Sequence, residues 1–129
     1  MSPSDPREAP ACYVFRVRFR LDTPGGVATD PDRFETTVFR RADPPGEPAW
    51  LFFRDNCWRG ELADESHFRD VVESELGVPV ESVSFSELRI DEDAFAELKA
   101  AIAADLDPFN ADSVSEVLSK YLGSSIRVE

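Results

Sequence analysis

Three arginines at alternate positions, Arg16, Arg18 and Arg20, are the first side chains whose type and spacing suggest chemistry. Side chains repeat every two residues along a β-strand, so the three guanidiniums are expected on one strand face. Guanidiniums bind carboxylates and phosphates through paired hydrogen bonds, and nearby exposed aromatics would let nucleic-acid bases stack. The spacing therefore suggests a binding face for an unidentified protein or a polyanion, with nucleic acid as the weaker option.

The same arginines can instead be paired within the sheet. Further arginines and carboxylates are expected on neighbouring strands: Arg40 or Arg41, Arg54, Arg59, Glu35, Asp55 and Glu61. Residues 1–60 contain nine arginines and nine acids, so their formal charge is zero. This balance favours cross-strand ion pairs, and high salt weakens attraction to phosphates steeply. We favour pairing and keep the binding face as the alternative.

Trp58 and Arg59, followed by Gly60, form a second group. A tryptophan beside an arginine can form a cation–π pair or offer a flat platform to a ligand. In the structural alternative, which we favour, Trp58 anchors a hairpin on the core and Arg59 forms an ion pair. Gly60 then marks a bulge or a close backbone approach. The candidate binding residues are Arg16, Arg18, Arg20, Arg54, Trp58 and Arg59.

Cys57, Asp64, Glu65 and His67 are the one local cluster that could include metal ligands or a nucleophile. Zinc takes four ligands, usually from close Cys or His pairs, whereas the chain has one histidine and neither a CxxC nor an HExxH motif. We therefore predict no catalytic residue, metal or cofactor, and expect His67 to be exposed. A non-catalytic binding module is favoured, and a small-ligand protein or enzyme with a site around Asp55–His67 is the alternative.

Two short motifs are explained by local structure. Pro24-Gly25-Gly26 is too short for a phosphate-binding loop and predicts a turn. Asp91-Glu92-Asp93 lacks the glycine and further ligands of a calcium loop. Its position at a predicted helix start, where acids complement the helix dipole, is a sufficient explanation.

The charge composition indicates a habitat. The chain has twelve arginines, two lysines and a net charge of −12, and the whole acidic excess lies in residues 61–129. Molar salt shortens the screening length to ~3 Å, which cancels most of the repulsion between such acids. We therefore expect a protein from the cytoplasm of an extreme halophile. Cys12 and Cys57 are expected as reduced thiols, and neither a secretory signal nor a membrane segment is predicted.

Hydrophobic periodicity and turn residues predict the elements that would position these side chains. Strands are expected at 12–21, 33–41, 49–54, 57–61, 78–88 and 124–128. The run at 49–54 is apolar on both faces, so it is expected to be a central strand. Asp55-Asn56 would connect it to 57–61 in a hairpin, with an ordered loop as the alternative. Three helices are expected, beginning at Asp64, Asp91 and either Asp112 or Ser113 and ending at Gly77, Asp107-Pro108 and Gly123.

This order, β-β-β-(β)-α-β-α-α-β, predicts an α+β fold. We expect one domain over residues 12–129, with a mainly antiparallel sheet of five to six strands and three helices packed on one face. Residues 1–11, rich in proline and without periodicity, are expected to form a flexible tail.

The segment Trp50–Gly60 resembles the LWR-salt proteins, small proteins of halophilic archaea named for a Leu-Trp-Arg triplet. The resemblance extends to residues 13–20, 33–46 and 120–129. Here the triplet is Cys57-Trp58-Arg59, and a cysteine can replace a core leucine as a small hydrophobic side chain. The resemblance implies a halophilic habitat and no particular activity, because the family's name describes only a motif and a habitat.

Overall fold

A computed structural model describes residues 6–20 and 33–129 of the chain. The strands are β1 Ala11–Arg20, β2 Arg33–Arg41, β3 Cys57–Trp58, β4 Glu61–Leu62, β5 Val80–Ile90 and β6 Ile126–Val128. The α-helices are α1 Phe52–Asn56, α2 Glu65–Leu76, α3 Glu92–Ala104 and α4 Val114–Leu122, and Pro6–Glu8 and Asp107–Phe109 form 3-10 turns. The turn predicted at Pro24–Gly26 lies outside the described residues.

The main sheet has four strands in the order β2-β1-β5-β6, and β3 and β4 form a separate two-stranded sheet. The β1–β2 and β1–β5 pairs are antiparallel, whereas the edge strand β6 runs parallel to β5. The predicted α+β class and the predominance of antiparallel pairing are confirmed. The predicted strands are divided between two sheets, and a fourth helix is present.

The strand predicted at 49–54 is wrong, because its second half begins helix α1. The backbone N–H of Trp50 donates to the Glu47 carbonyl at 3.2 Å, and that of Phe52 donates to Ala49 at 3.1 Å. These successive turns lead directly into α1. Phe52 and Phe53 are both buried in the core, whereas Asp55 on the same helix is exposed. A short run that is apolar on all sides thus indicates burial without distinguishing a strand from a helix.

The predicted turn at Asp55-Asn56 is wrong as well, because both residues belong to α1. The hairpin instead joins β3 to β4 through Arg59 and Gly60, whose φ angles are +52° and +83°. Positive φ at both central residues defines the two-residue turn that matches the twist of a hairpin. The segment predicted as one strand at 57–61 therefore contains β3, the two-residue turn and Glu61, the first residue of β4.

The predicted helix boundaries follow from capping. The side chains of Asp64, Asp91 and Ser113 accept hydrogen bonds from backbone N–H groups in the first turns of α2, α3 and α4, at 3.2, 2.7 and 3.1 Å. Each bond satisfies one amide that the helix leaves unpaired. Gly77 ends α2 in the left-handed conformation, as expected for a C-terminal glycine. Of the two starts considered for the last helix, Ser113 is the observed one.

One side of the sheet forms the floor of the hydrophobic core. Tyr13, Phe15 and Val17 of β1 belong to a single buried cluster to which all four helices contribute side chains. Phe53 of α1 stacks on Phe109 with the ring centroids 5.8 Å apart. The described part of the chain contains no helix with both the length and the apolar character needed to cross a bilayer.

Candidate binding surface

The side of the main sheet that faces away from the core carries all three arginines that the alternation in β1 predicted to share a face. The β1–β2 register places Arg16 beside Thr37, Arg18 beside Glu35 and Arg20 beside Arg33. All three β1 arginines are exposed, whereas Tyr13, Phe15 and Val17 on the other side are buried. We call this surface the arginine face. Its arginines are Arg16, Arg18, Arg20, Arg33, Arg41, Arg89 and Arg127.

Carboxylates on neighbouring strands pair with two of the β1 arginines. Arg18 Nε lies 3.3 Å from Glu35 Oε2, as the sequence suggested. Arg20 Nη2 and Arg33 Nε lie 3.2 and 3.1 Å from the same oxygen, Glu81 Oε1. These pairs are exposed to solvent, so each contributes only about 0.2–1 kcal/mol to folding. They leave the arginines available to a partner's carboxylates at small cost.

Glu81 reaches this surface because β5 contains a β-bulge. The partners of Arg18 and Phe19 on β5 are Ser82 and Val80, so Glu81 between them has no partner on β1. An extra residue in one strand redirects its side chain and increases the local twist. The bulge thus supplies the shared carboxylate between Arg20 and Arg33, two arginines of opposite strands that would otherwise repel each other.

At the end of the arginine face near Cys12 and Val14, two guanidiniums stack on the ring of Phe39. The guanidinium carbons of Arg7 and Arg89 each lie 5.7 Å from the ring centroid of Phe39. Cys12 and Val14, on the same side of β1, are only 1% and 4% exposed. Arg89 and Arg127 also share a carboxylate, with their Nε atoms 3.6 and 3.5 Å from Glu129 Oε1. This end is therefore an ordered part of the structure, and the open part lies around Arg16.

Arg16 is the central cation of the face. Its neighbours in register are Thr37 on β2 and Ser84 on β5, which bring hydroxyl groups to either side. Within residues 6–20 and 33–129, Arg16 forms no ion pair. A guanidinium flanked by hydroxyls can bind an incoming carboxylate or phosphate without first breaking an internal pair.

Two other predicted arginines lie elsewhere. Arg54 is in α1, not on a strand, and its Nη2 pairs with Asp55 Oδ1 at 2.8 Å. Asp55 is therefore not a cross-strand partner of the β1 arginines. Arg40 stacks over Phe52 of the core cluster, 4.6 Å from the ring centroid. The arginine face therefore excludes Arg54 and Arg40. Of the two alternatives Arg40 and Arg41, Arg41 is the one on this face, because it lies opposite Cys12. Strand order and register add Arg33, Arg89 and Arg127, which the sequence did not predict.

Trp58 is not a core anchor, because its side chain is 46% exposed. The ion pair favoured for Arg59 is not observed within the described residues. The alternative cation–π contact with Trp58 is present, with the guanidinium carbon 5.8 Å from the indole centroid. Lys120 lies at the same distance from the ring and donates hydrogen bonds to the carbonyls of Phe109 and Asn110. Trp58 and Arg59 line a shallow surface notch with Ser119, Lys120 and Ser124, and His67 does not line it.

The turn that presents Trp58 is joined to the end of α4 through its backbone. The N–H groups of Arg59 and Gly60 donate to the carbonyls of Lys120 and Tyr121 at 2.8 and 3.1 Å. These are carbonyls of the last helical turn, which lack partners within a helix. A Cβ on Gly60 would lie 3.0 Å from the Leu122 carbonyl oxygen, and one on Gly123 would lie 3.0 Å from that of Arg59. The predicted close approach at Gly60 is confirmed.

Three of the four residues considered for an enzyme site, Cys57, Asp64 and Glu65, have structural roles. Cys57 is 2% exposed, and burial raises the pKa of its thiol to about 12, so it is a core side chain rather than an activated nucleophile. Asp64 caps α2, and its hydrogen bonds with the His67 backbone and Ser66 hydroxyl lower the pKa of its carboxyl. His67 is exposed, and Glu65 pairs with Arg69 at 3.4 Å. Across the described ranges, no cluster of His, Cys, Asp and Glu side chains is arranged to hold a metal ion.

Comparison with known proteins gives one match. Residues 9–129 match the family model described as LWR-salt protein, which covers nearly the whole chain. No curated protein and no solved structure matches the chain.

Substitution of Gly123 by alanine tests the contact between the turn and α4. Gly123→Ala should destabilise the protein by about 3 kcal/mol, because a strained positive φ is combined with a backbone clash at 3.0 Å. Gly77→Ala is the control for a positive φ without a close contact, since Gly77 ends a helix at φ +70° and ψ +20°, against +59° and −131° for Gly123, and its Cβ would meet nothing within 4 Å. The control should cost about 1 kcal/mol in urea unfolding at molar KCl. Equal costs would contradict the proposed clash.

The pKa of Cys57 predicts a loss of stability in alkali. Its ordinary value is 9.0 and its folded value is about 12, so the folded protein holds the proton that the unfolded chain releases between these pH values. The free energy of unfolding should therefore be unaffected by this group below pH 9.0 and fall above it by about 1.4 kcal/mol per pH unit. Cys57→Ala should have a flatter slope than the wild type over pH 9–10, whatever its overall loss of stability. Identical slopes would show that Cys57 is not the group responsible.

Proposed function

This chain belongs to the LWR-salt protein family, and we propose that it is a non-catalytic interaction module whose arginine face binds a carboxylate-bearing surface of a protein partner. The observation that supports this most directly is Arg16, an exposed guanidinium between Thr37 and Ser84 that forms no ion pair within the described ranges. A partner carboxylate can form two hydrogen bonds with it at no cost in internal pairing.

The shared carboxylates extend this argument to the rest of the face. Glu81 serves both Arg20 and Arg33, and Glu129 serves both Arg127 and Arg89, of which Arg89 also pairs with Glu87 at 3.6 Å. One carboxylate cannot satisfy two planar guanidiniums as fully as two carboxylates can. A partner that brings further carboxylates would complete this set, which supports an acidic protein surface as the binding partner.

The aromatic side chains argue against single-stranded nucleic acid as the partner. Binding of single strands combines a basic groove with aromatic rings on which bases stack. The aromatic ring on the arginine face is Phe39, and it is occupied by the guanidiniums of Arg7 and Arg89. The exposed Phe34 packs with Phe19 on the opposite side of the sheet, and Trp58 belongs to the separate notch.

We further propose that the protein operates in the cytoplasm of a halophilic archaeon. Its net charge of −12 and its two lysines suit molar salt, in which exposed acids repel one another weakly. The membership in the LWR-salt family is consistent with this habitat.

A triple substitution tests the arginine face. Arg16, Arg18 and Arg20 changed together to Gln should weaken binding of a short glutamate-rich peptide by about 10-fold or more, since each lost charge-assisted hydrogen bond is worth about 1.5–3 kcal/mol. Fluorescence anisotropy near molar KCl is the measurement, because low salt would create attraction to any polyanion. The melting temperature should change little.

The matched control changes three arginines that lie off the face, Arg54, Arg59 and Arg69, to Gln. This variant loses the same charge and should keep the affinity of the wild type for the peptide. Unchanged peptide binding in the Arg16, Arg18 and Arg20 variant would contradict the proposal. Tighter binding of single-stranded DNA than of the peptide at the same salt concentration would identify nucleic acid as the partner.

Salt dependence tests the habitat. Removal of KCl should loosen or unfold the protein, because seventeen acids in residues 61–129 then repel one another over a longer range. Circular dichroism across a KCl series measures this. A variant with Glu73, Glu75, Asp93 and Glu97 changed to their amides should stay folded to a lower salt concentration. Cooperative folding of the wild type in dilute buffer would argue against a halophilic protein.

A further inference from the structure

A pocket of about 120 Å³ lies mainly on the helix side of the sheet, at the edge where β2 ends with Arg41. It is bounded by β1, β5, α3 and the proline-rich segment between β2 and α1. Its floor consists of Tyr13, Phe53 and Leu88, each 2% exposed or less. Small side chains at Ala11 and Ala94 leave the space open where larger residues would fill it. The interior is therefore an apolar chamber built from ordered elements.

The rim of the pocket carries charges of both signs. Arg41, Asp43 and Glu97 all line it. Arg41 is loosely paired, with its nitrogens 3.8 Å from Asp43 and 3.7 Å from Glu47, beyond hydrogen-bond length. Its side chain is 50% exposed, so its hydrogen-bond donors are available to a ligand. Glu97, exposed on α3, forms no ion pair within the described ranges.

The volume limits the apolar part of a ligand to a few carbon atoms. A dry cavity of about 150 Å³ holds one benzene molecule. A chamber of about 120 Å³ therefore fits a branched aliphatic group of roughly leucine size, whereas drug-sized ligands need about 300–1,000 Å³. Full burial of such a side chain is worth about 1.5–3 kcal/mol. The charged rim must supply the remaining affinity and the specificity.

We propose that this pocket binds a free branched-chain α-amino acid of the leucine class. The aliphatic side chain occupies the chamber, the α-carboxylate pairs with Arg41, and the α-ammonium faces Asp43 and Glu97. A simple carboxylic acid would bring its anion towards Glu97, which has no ion pair in the described part of the chain, and towards Asp43, which is only loosely paired with Arg41. A simple amine would leave Arg41 with nothing better than its two loose pairs to Asp43 and Glu47. The zwitterion matches both signs of the rim, so it is the occupant that the charges favour.

Titration calorimetry near molar KCl compares L-leucine with three analogues. These are 4-methylpentanoate, which lacks the ammonium, 3-methylbutylamine, which lacks the carboxylate, and glycine, which lacks the side chain. L-Leucine should bind, each singly charged analogue should bind at least about 10-fold more weakly, and glycine should not bind. Absence of leucine binding, or equal binding of either singly charged analogue, would overturn the proposal.

Substitutions locate the binding within the protein. Ala94→Leu fills the chamber and should abolish leucine binding, whereas Ala96→Leu, at an exposed position of the same helix outside the pocket, should preserve it. Arg41→Gln and Glu97→Gln should each weaken binding at least about 10-fold. Glu92→Gln is the control for loss of an acid elsewhere on α3. Circular dichroism confirms that each variant is folded, and wild-type affinity in Ala94→Leu would exclude this pocket.

Discussion

The register of β1 is the constraint on which both surfaces of the protein depend. Alternate side chains of this strand point to opposite sides, so Tyr13 forms part of the core and of the pocket floor while Arg16 points to solvent. β1 pairs with β2 on one side and with β5 on the other, so two hydrogen-bonded ladders fix its register. A slip by one residue would exchange the two sets and bury several guanidiniums without partners. The apolar core therefore holds the arginines in register, although their own exposed ion pairs contribute little to stability.

The Cys57-Trp58-Arg59 triplet has a different physical role at each position. Cys57 is buried in the core cluster, Trp58 is exposed in a surface notch, and Arg59 has the positive φ of a hairpin turn. Non-glycine residues adopt this conformation infrequently, and here two backbone hydrogen bonds from Arg59 and Gly60 to α4 stabilise it. The backbones approach so closely because neither Gly60 nor Gly123 has a Cβ. The triplet thus joins the small hairpin to the last helix and presents Trp58 at their junction.

The features that sequence predicted correctly are those with local causes. The alternation in β1 and the capping side chains Asp64, Asp91 and Ser113 each depend on a few adjacent residues, and the structure confirms them. The predicted strand at 49–54 was wrong because an apolar run reports burial and not backbone conformation. The arginine face was only half predicted, since Arg33, Arg89 and Arg127 reach it through strand order and register. Glu81 reaches it through a bulge, which depends on long-range pairing and has no local sequence signal.

The salt concentration determines over what distance the charged side chains of this protein interact. At molar ionic strength the screening length is ~3 Å, so the net charge of −12 neither repels nor attracts a partner over a distance. Only ion pairs at contact distance, such as Arg33 to Glu81 at 3.1 Å, keep an appreciable interaction energy. Arginine suits this regime because its planar guanidinium gains affinity from directed hydrogen bonds as well as from charge. In the function proposed above, a surface built from arginines with shared carboxylates would recognise the geometry of a partner's carboxylates at close range. An acidic protein can in this way bind another acidic protein under conditions in which their overall repulsion is screened.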